Sequence, residues 1–253
     1  MAETHWNKLG AYLKETQILG SIQNTLYWDQ NTGMPKKGAS WRSEQLTYIA
    51  KVLHERNSSE EFSNLIQSAK NELADIERNS DNQLFIKDKE RNISLLLKEF
   101  NRERNLDPKL VESLAKAKSK GYESWQEAKE KSDFKIFLPF FEELVKLRIE
   151  EAKQISDQYS PWETLAQPFE PELTLKWLNK MFQPLKDTLP ELIRGINKSK
   201  KYHWDLSPES QHNLCSKLLD EFGRDKDLVV VGKSPHPFSI TLGPNDYRIT
   251  TRI

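Results

Sequence analysis

The hydrophobic period of this sequence changes near Gly223, and that change limits the folds open to the chain. Before Gly223, apolar side chains recur every three to four residues, the spacing of amphipathic helices that bury one face. After it, short runs rich in β-branched residues alternate with turn residues, the pattern of half-buried strands. The sequence therefore predicts a mainly α fold, with a multi-helix region at 1–223 and the start of a small sheet at 224–253, both in one incomplete domain.

Local start signals predict where several helices begin. A serine followed three residues later by a glutamate forms a capping box at Ser58–Glu61. Asp107 and Pro108 supply an N-cap and a first-turn proline, which loses no helical hydrogen bond at that position. Similar reasoning places further helix boundaries at Pro139, Tyr159, Ser207-Pro208 and Gly223, and interruptions at Gly121, Pro184 and Pro190.

The last eight residues form the clearest strand pattern. One face would carry Tyr247, Ile249, Thr251 and Ile253, and the other Asp246, Arg248, Thr250 and Arg252. Because three short strands make a poor independent sheet, we expect them to lie against the helices or to pair with further strands.

Charge and composition exclude several classes of protein. Lys plus Arg and Asp plus Glu both number 38, and this balance argues against a nucleic-acid binder, which needs a basic excess. No signal peptide is recognisable, and no run approaches the ~18 apolar residues of a membrane span. We therefore expect a cytoplasmic protein with no membrane contact. The single cysteine, Cys215, cannot form an internal disulfide and is expected to be a small buried thiol.

The sequence lacks the usual patterns of a complete catalytic site. A zinc site on a helix needs two histidines four residues apart, with a glutamate after the first, and no pair of the five histidines has that spacing. Gly-x-Ser-x-Gly and Gly-rich phosphate loops are also absent. The paired acids Glu142-Glu143 and Glu150-Glu151 are interpreted as solvated helix faces. We expect no catalytic residue and no metal site within this chain.

Three aromatic-rich segments are less ordinary. The segment 26–35, LYWDQNTGMP, is interpreted as a corner between helices in which the Asp29 side chain satisfies backbone donors. The segment 160–174, SPWETLAQPFEPELT, is interpreted as a packed loop. His236-Pro237-Phe238 is interpreted as the corner that leads into a strand, since a residue before proline is held extended.

Taken together, these segments resemble the carboxypeptidase Taq family of metallocarboxypeptidases. In that family an HPF motif precedes a DxRxT motif, and here His236-Pro237-Phe238 precedes DYRITTRI at 246–253. WDQNTGMPKKGASWRSEQL is similar to the family's WDxxTxMP segment and the Arg-containing helix after it, and FEPELT is similar to its YEPGMT-type turn. The similarity runs in order from about Leu26 to Ile253.

The resemblance implies the N-terminal part of a gluzincin-like fold, mainly helical with a small sheet beside a deep cleft. Family members bind zinc or another divalent metal through HExxH and a downstream glutamate, remove C-terminal residues from peptides, and form homodimers. Since HExxH follows the DxRxT strand, we expect this chain to be an inactive N-terminal fragment that binds no metal. The implied substrate-binding or cleft-wall residues are His236, Pro237, Phe238, Asp246, Arg248 and Thr250.

Two alternatives stay open at this point. Arg248 either contacts the substrate carboxylate, which arginine can bind bidentately, or pairs with Asp246 to stiffen the cleft wall. The chain as a whole is either part of a peptidase, whole or split, or a non-catalytic helical module for peptide binding or interaction derived from the same family.

Overall fold

The computed structural model describes residues 4–77, 83–196, 206–223 and 225–252. They group into two compact units, one formed by Met1–Ile155 with Asp225–Arg252 and the other by Ser156–Arg224. The predicted mainly α fold with a small C-terminal sheet is confirmed. The division at Gly223, which followed the change of hydrophobic period, stays a prediction. Within the described ranges, every helix is too short or too polar to cross a bilayer.

Six α-helices of the first unit are described. They are α1 His5–Thr32, α2 Ala39–Asn57, α3 Glu60–Glu77, α4 Gln83–Arg104, α5 Pro108–Lys131 and α6 Leu138–Ile155, with 3₁₀ turns at Lys36–Gly38 and Phe134–Ile136. Asp107 caps α5 as predicted, since its carboxylate accepts a hydrogen bond from Lys109 N–H. The capping box expected to start at Ser58 is wrong by one residue. Ser58 ends α2, and the Ser59 hydroxyl accepts from Phe62 N–H at 3.0 Å.

The main hydrophobic core of this unit joins α1, α3 and α4. Its buried members are Leu9, Tyr12, Phe62, Ile66, Ala69, Leu73, Ile86, Ile93 and Phe100. The Tyr12 ring stacks on Phe62 with centroids 5.3 Å apart. Phe62, Ile66, Ala69 and Leu73 thus form the buried face of α3. The same core holds α1, against which the sheet described below lies.

Two helices of this unit differ from expectation. α5 continues through Gly121, which is buried, because packing outweighs the ~1 kcal/mol that glycine costs a helix interior. α6 ends at Ile155 instead of near Tyr159. Glu151, expected on a solvated face, is buried and pairs with Arg148. A helix pattern alone does not show that a charged residue has a partner that permits its burial.

The second unit contains three described helices, α7 Pro161–Ala166, α8 Leu175–Gly195 and α9 Pro208–Glu221. The segment expected to be a loop therefore includes a helix, which Ser160 caps in a capping box. α8 runs as one helix through Pro184 and Pro190, which were expected to kink or divide it. Gly223 closes α9 with φ +79°, as predicted. Cys215 is exposed, so the buried-thiol interpretation is wrong.

The sheet has the strand order β1-β3-β2, with β1 Val229–Lys233, β2 Ser239–Gly243 and β3 Asp246–Thr251. β1 is parallel to β3, and β2 is antiparallel to it across a tight turn in which Asn245 has φ +66°. The sheet lies against α1, as expected. The Ser21 hydroxyl donates to the Leu242 carbonyl, and Asn24 Nδ2 donates to the Thr241 carbonyl at 3.1 Å.

Candidate functional site

The two motifs singled out in the sequence lie side by side. His236, Pro237 and Phe238 lead into β2, and the DxRxT residues alternate along β3. Phe238 N–H donates to Thr250 Oγ1, and Thr250 N–H donates to the Phe238 carbonyl, both at 2.8 Å. Thr250 is only 4% exposed. It therefore uses both its backbone and its hydroxyl to fix the position of the HPF segment.

Ser234 extends this hydrogen-bond network and was missed in the sequence. Its hydroxyl donates to the His236 carbonyl at 2.7 Å and shares a hydrogen bond of 2.6 Å with Thr250 Oγ1. Ser234 is itself buried. A single serine before a proline carries no recognisable pattern, so the fold was needed to find it.

Asp246 and Arg248 form a bidentate ion pair on β3. Arg248 Nε donates to Asp246 Oδ1 at 2.8 Å, and Nη2 donates to Oδ2 at 3.0 Å. These hydrogen bonds hold the pKa of Asp246 below its usual value and raise the pKa of Arg248. Both groups are thus charged at neutral pH and largely neutralise each other.

An aromatic layer from α1 supports this side of the sheet. The Phe238 ring meets Tyr27 and Trp28 edge-on, with centroids 5.9 and 5.6 Å away. The Arg248 guanidinium lies 5.5 Å from the Trp28 ring centroid, a cation–π contact. Gly232 lies so close to the Trp28 ring that a Cβ atom on Gly232 would be 2.9 Å from Trp28 Cζ2. Trp28 therefore contacts β1, the HPF segment and β3 together.

A second set of contacts comes from α5. The His236 ring is edge-on to Trp125 at 6.3 Å between centroids. Lys129 Nζ donates to the Pro235 carbonyl at 3.1 Å and lies 4.9 Å from the Trp125 ring centroid. Tyr122 lies one turn before Trp125 in α5. Burial raises the pKa of Tyr122 to about 12, so its phenol is neutral at physiological pH. The HPF segment is thus held between residues of α1 and α5.

The 26–35 segment differs from the corner between helices predicted for it. Trp28 and Asp29 lie in the last turn of α1, not in a turn between helices. Gly33 and Met34 make the turn, and both N–H groups donate to the Asp29 carbonyl. The Asp29 carboxylate pairs with Arg42 at 2.7 Å instead of satisfying backbone donors. This helical position is what allows Trp28 to reach the sheet.

The described residues do not fit a metal centre. In the ranges 4–77, 83–196, 206–223 and 225–252, no group of three or more His, Cys, Asp or Glu side chains could hold a metal ion. The assembled residues form a stiff wall with an aromatic support and a neutralised ion pair. Such a surface can bind and orient a ligand, and we assign no reaction step to it.

Comparison with known proteins agrees with this arrangement. The family described as Carboxypeptidase Taq (M32) metallopeptidase matches residues 8–253. Thermostable carboxypeptidase 1 of Thermus thermophilus is 28% identical over 265 residues, covering 99% of this chain and 51% of that protein. Carboxypeptidase 1 of Bacillus subtilis is 28% identical over 233 residues, covering 90% of this chain and 45% of that protein.

The solved structures extend the likeness to the fold. The BsuCP crystal structure superposes with a TM-score of 0.89 at 26% identity, covering 99% of this chain and 50% of that chain. Apo-Mg Pyrococcus furiosus carboxypeptidase shares the fold, with a TM-score of 0.77 at 24% identity over 100% of this chain and 50% of that one. The chain thus spans about half the length of the curated relatives it matches. It belongs to the carboxypeptidase Taq (M32) family of metallopeptidases.

Proposed function

We propose that this chain supplies the N-terminal half of a metallocarboxypeptidase that releases C-terminal amino acids from peptides. In this proposal, the HPF segment and β3 form one wall of the substrate cleft. The observation that supports it most is the reciprocal bonding of Phe238 and Thr250, which joins the two family motifs into one surface. A wall of this kind orients a peptide before the reaction and loses little entropy on binding, because its backbone is already fixed.

Within this wall we assign Arg248 to positioning. Its Nε and Nη2 groups are engaged by Asp246, and its guanidinium lies over Trp28. The negative charge of Asp246 offsets the positive charge of an arginine paired in this way, so the pair attracts a substrate carboxylate only weakly. The geometry therefore favours the stiffening role over direct contact with the peptide C-terminus.

The remaining functions belong to the full-length protein in this proposal. Zinc or another divalent metal and the reaction itself would require residues that this chain does not supply, and the full-length protein would be a homodimer. The chain alone would be inactive and would bind no catalytic metal. We propose a cytoplasmic location, with peptides as the partners of the full-length enzyme and no role for nucleic acids or membranes.

Activity is tested by incubating the purified chain with zinc and a peptide that has a free C-terminus, and measuring released amino acids by mass spectrometry. We expect no release and no stoichiometric zinc after dialysis, with Bacillus subtilis carboxypeptidase 1 as the active control. Zinc-dependent release by this chain alone would refute its inactivity.

The cleft wall is tested by an NMR titration with the same peptide and its C-terminal amide. We expect the Phe238 and Thr250 amide signals to shift, and Arg248→Lys to weaken both peptides equally, while Arg91→Lys on the exposed face of α4 changes neither. Selective weakening of the free acid would instead make Arg248 a substrate ligand. Absence of shifts in the HPF segment would favour the non-catalytic helical module.

A further inference from the structure

A pocket of about 370 Å³ lies beside the HPF segment, within the first unit. Its lining includes Lys36 from the 3₁₀ turn after α1, Gln126 and Lys129 from α5, buried Ser234, and Arg252 just beyond β3. This volume is at the small end of ligand pockets, so it suits one side chain or a small ion. Three parts of the chain that are distant in sequence converge here.

The pocket carries an excess of positive charge. Lys36, Lys129 and Arg252 face it, and Glu130 is the carboxylate among its lining residues, which leaves two positive charges. Glu130 lies 3.3 Å from Lys36, but these side chains are 71% and 91% exposed. Solvent screens such a pair, so it can open at little cost when a stronger anion arrives.

Lys129 is held in place before any ligand binds. One ammonium N–H donates to the Pro235 carbonyl, and the Trp125 ring lies beneath the ammonium group at 4.9 Å. A lysine ammonium has three donors, so two remain for an incoming oxygen. Because the side chain is already ordered, binding costs less rotamer entropy than it would for a free surface lysine.

Arg252 supplies a second cation, and none of the described carboxylates pairs with it. It is two residues beyond Thr250, immediately after β3 ends at Thr251, and it lines the pocket. Among the described residues, its guanidinium makes no hydrogen bond or ion pair, in contrast to Arg248. A planar guanidinium with free donors matches a carboxylate or phosphate bidentately.

We propose that this pocket binds an anionic group, a carboxylate or a phosphate, between Lys129 and Arg252. The group could belong to an acidic side chain of a bound peptide or to a free anion. The first source rests on the proposed peptidase function, and the anion site itself does not.

The test is an NMR titration of the full chain with three ligands: sodium phosphate, a blocked glutamate-containing peptide amide and its glutamine counterpart. We expect phosphate or the glutamate peptide to shift the amide signals of Lys129, Ser234 and Arg252. Arg252→Ala should weaken that binding about fivefold. Lys37→Ala, an exposed lysine next to Lys36 that does not line the pocket, should have no effect.

The ligands distinguish the source of the anion. Binding of the glutamate peptide but not the glutamine peptide identifies an acidic side chain, and binding of phosphate alone identifies a free anion. Arg252→Ala leaves Lys129 and its contact with Pro235 intact. Lys129→Met therefore provides a second variant, which removes the other cation and should also weaken binding. Equal binding of all three ligands, unchanged binding in both variants, or no shift at these amides would overturn the proposal, whatever the outcome for peptidase activity.

Discussion

Thr250→Val tests whether one hydroxyl organises the candidate wall. Valine has nearly the shape of threonine but cannot accept the Phe238 N–H or bond Ser234. A buried donor left without a partner costs about 1–3 kcal/mol, and the lost serine bond about 1 kcal/mol more. The added methyl group returns about 0.8 kcal/mol. We therefore expect a net loss of about 2 kcal/mol, which lowers Tm by about 4–8 °C for a chain of this size.

Hydrogen exchange of the Phe238 amide is the sharpest measurement, because it reports the affected bond directly. A loss of 2 kcal/mol should speed its exchange by about thirtyfold. Thr250→Ser keeps the hydroxyl and should leave this protection largely unchanged. Thr241→Val makes the same substitution at an exposed position of β2 and should cost nothing measurable. Undiminished protection of the Phe238 amide in Thr250→Val would refute the assigned role of the hydroxyl.

Two further substitutions probe the aromatic support and the ion pair. Gly232→Ala should destabilise the protein by about 1–3 kcal/mol in urea unfolding, because its Cβ would meet the rigid Trp28 ring at 2.9 Å. Gly20→Ala in α1, where nothing lies within 4 Å, should instead stabilise by up to about 1 kcal/mol, and similar effects of the two would contradict the close contact. The pKa of Asp246 is lowered from 3.8 in the folded protein. The contribution of Asp246 to stability is therefore present above pH 3.8 and is lost as the pH falls through the pKa of the folded state. The urea midpoint of unfolding should therefore fall less in Asp246→Asn than in the unmodified protein when the pH is lowered below about 4. An unchanged pH profile would argue against the Asp246–Arg248 ion pair in solution.

Local signals predicted local structure well and failed where the choice depends on packing. Asp107-Pro108 starts α5 as predicted because an N-cap and a first-turn proline act within a few residues. At Ser58 and Ser59 two adjacent caps are available, and their sequence pattern does not decide between them. Gly121 shows where local propensity fails. Glycine disfavours a helix interior, but Gly121 is buried inside α5, and the packing that outweighs its propensity comes from residues distant in sequence.

The candidate site also combines residues that local sequence patterns predicted with contacts that they did not. The alternation of β3 and the HPF resemblance identified residues that do lie together, although their roles in binding stay predictions. The sequence singled out the segment that contains Trp28, but it did not show that Trp28 and Lys129 contact the sheet. They reach the sheet from helices about 100 to 220 residues away in sequence, and a contact over that separation depends on topology instead of local pattern.

The orientation of β3 explains why its polar residues are the informative ones. A half-buried strand usually turns its apolar residues toward the core. Here Thr250 is buried and Arg248 lies over Trp28, whereas Tyr247 on the opposite face is 43% exposed. Placing charged and hydroxyl groups against aromatic helices costs desolvation, which the Asp246 pair and the Phe238 bond offset. Proteins break a local folding rule of this kind most often at functional sites. The polar residues of β3 that pack against α1 therefore support, beyond the family motif, our proposal that ligands bind at this sheet.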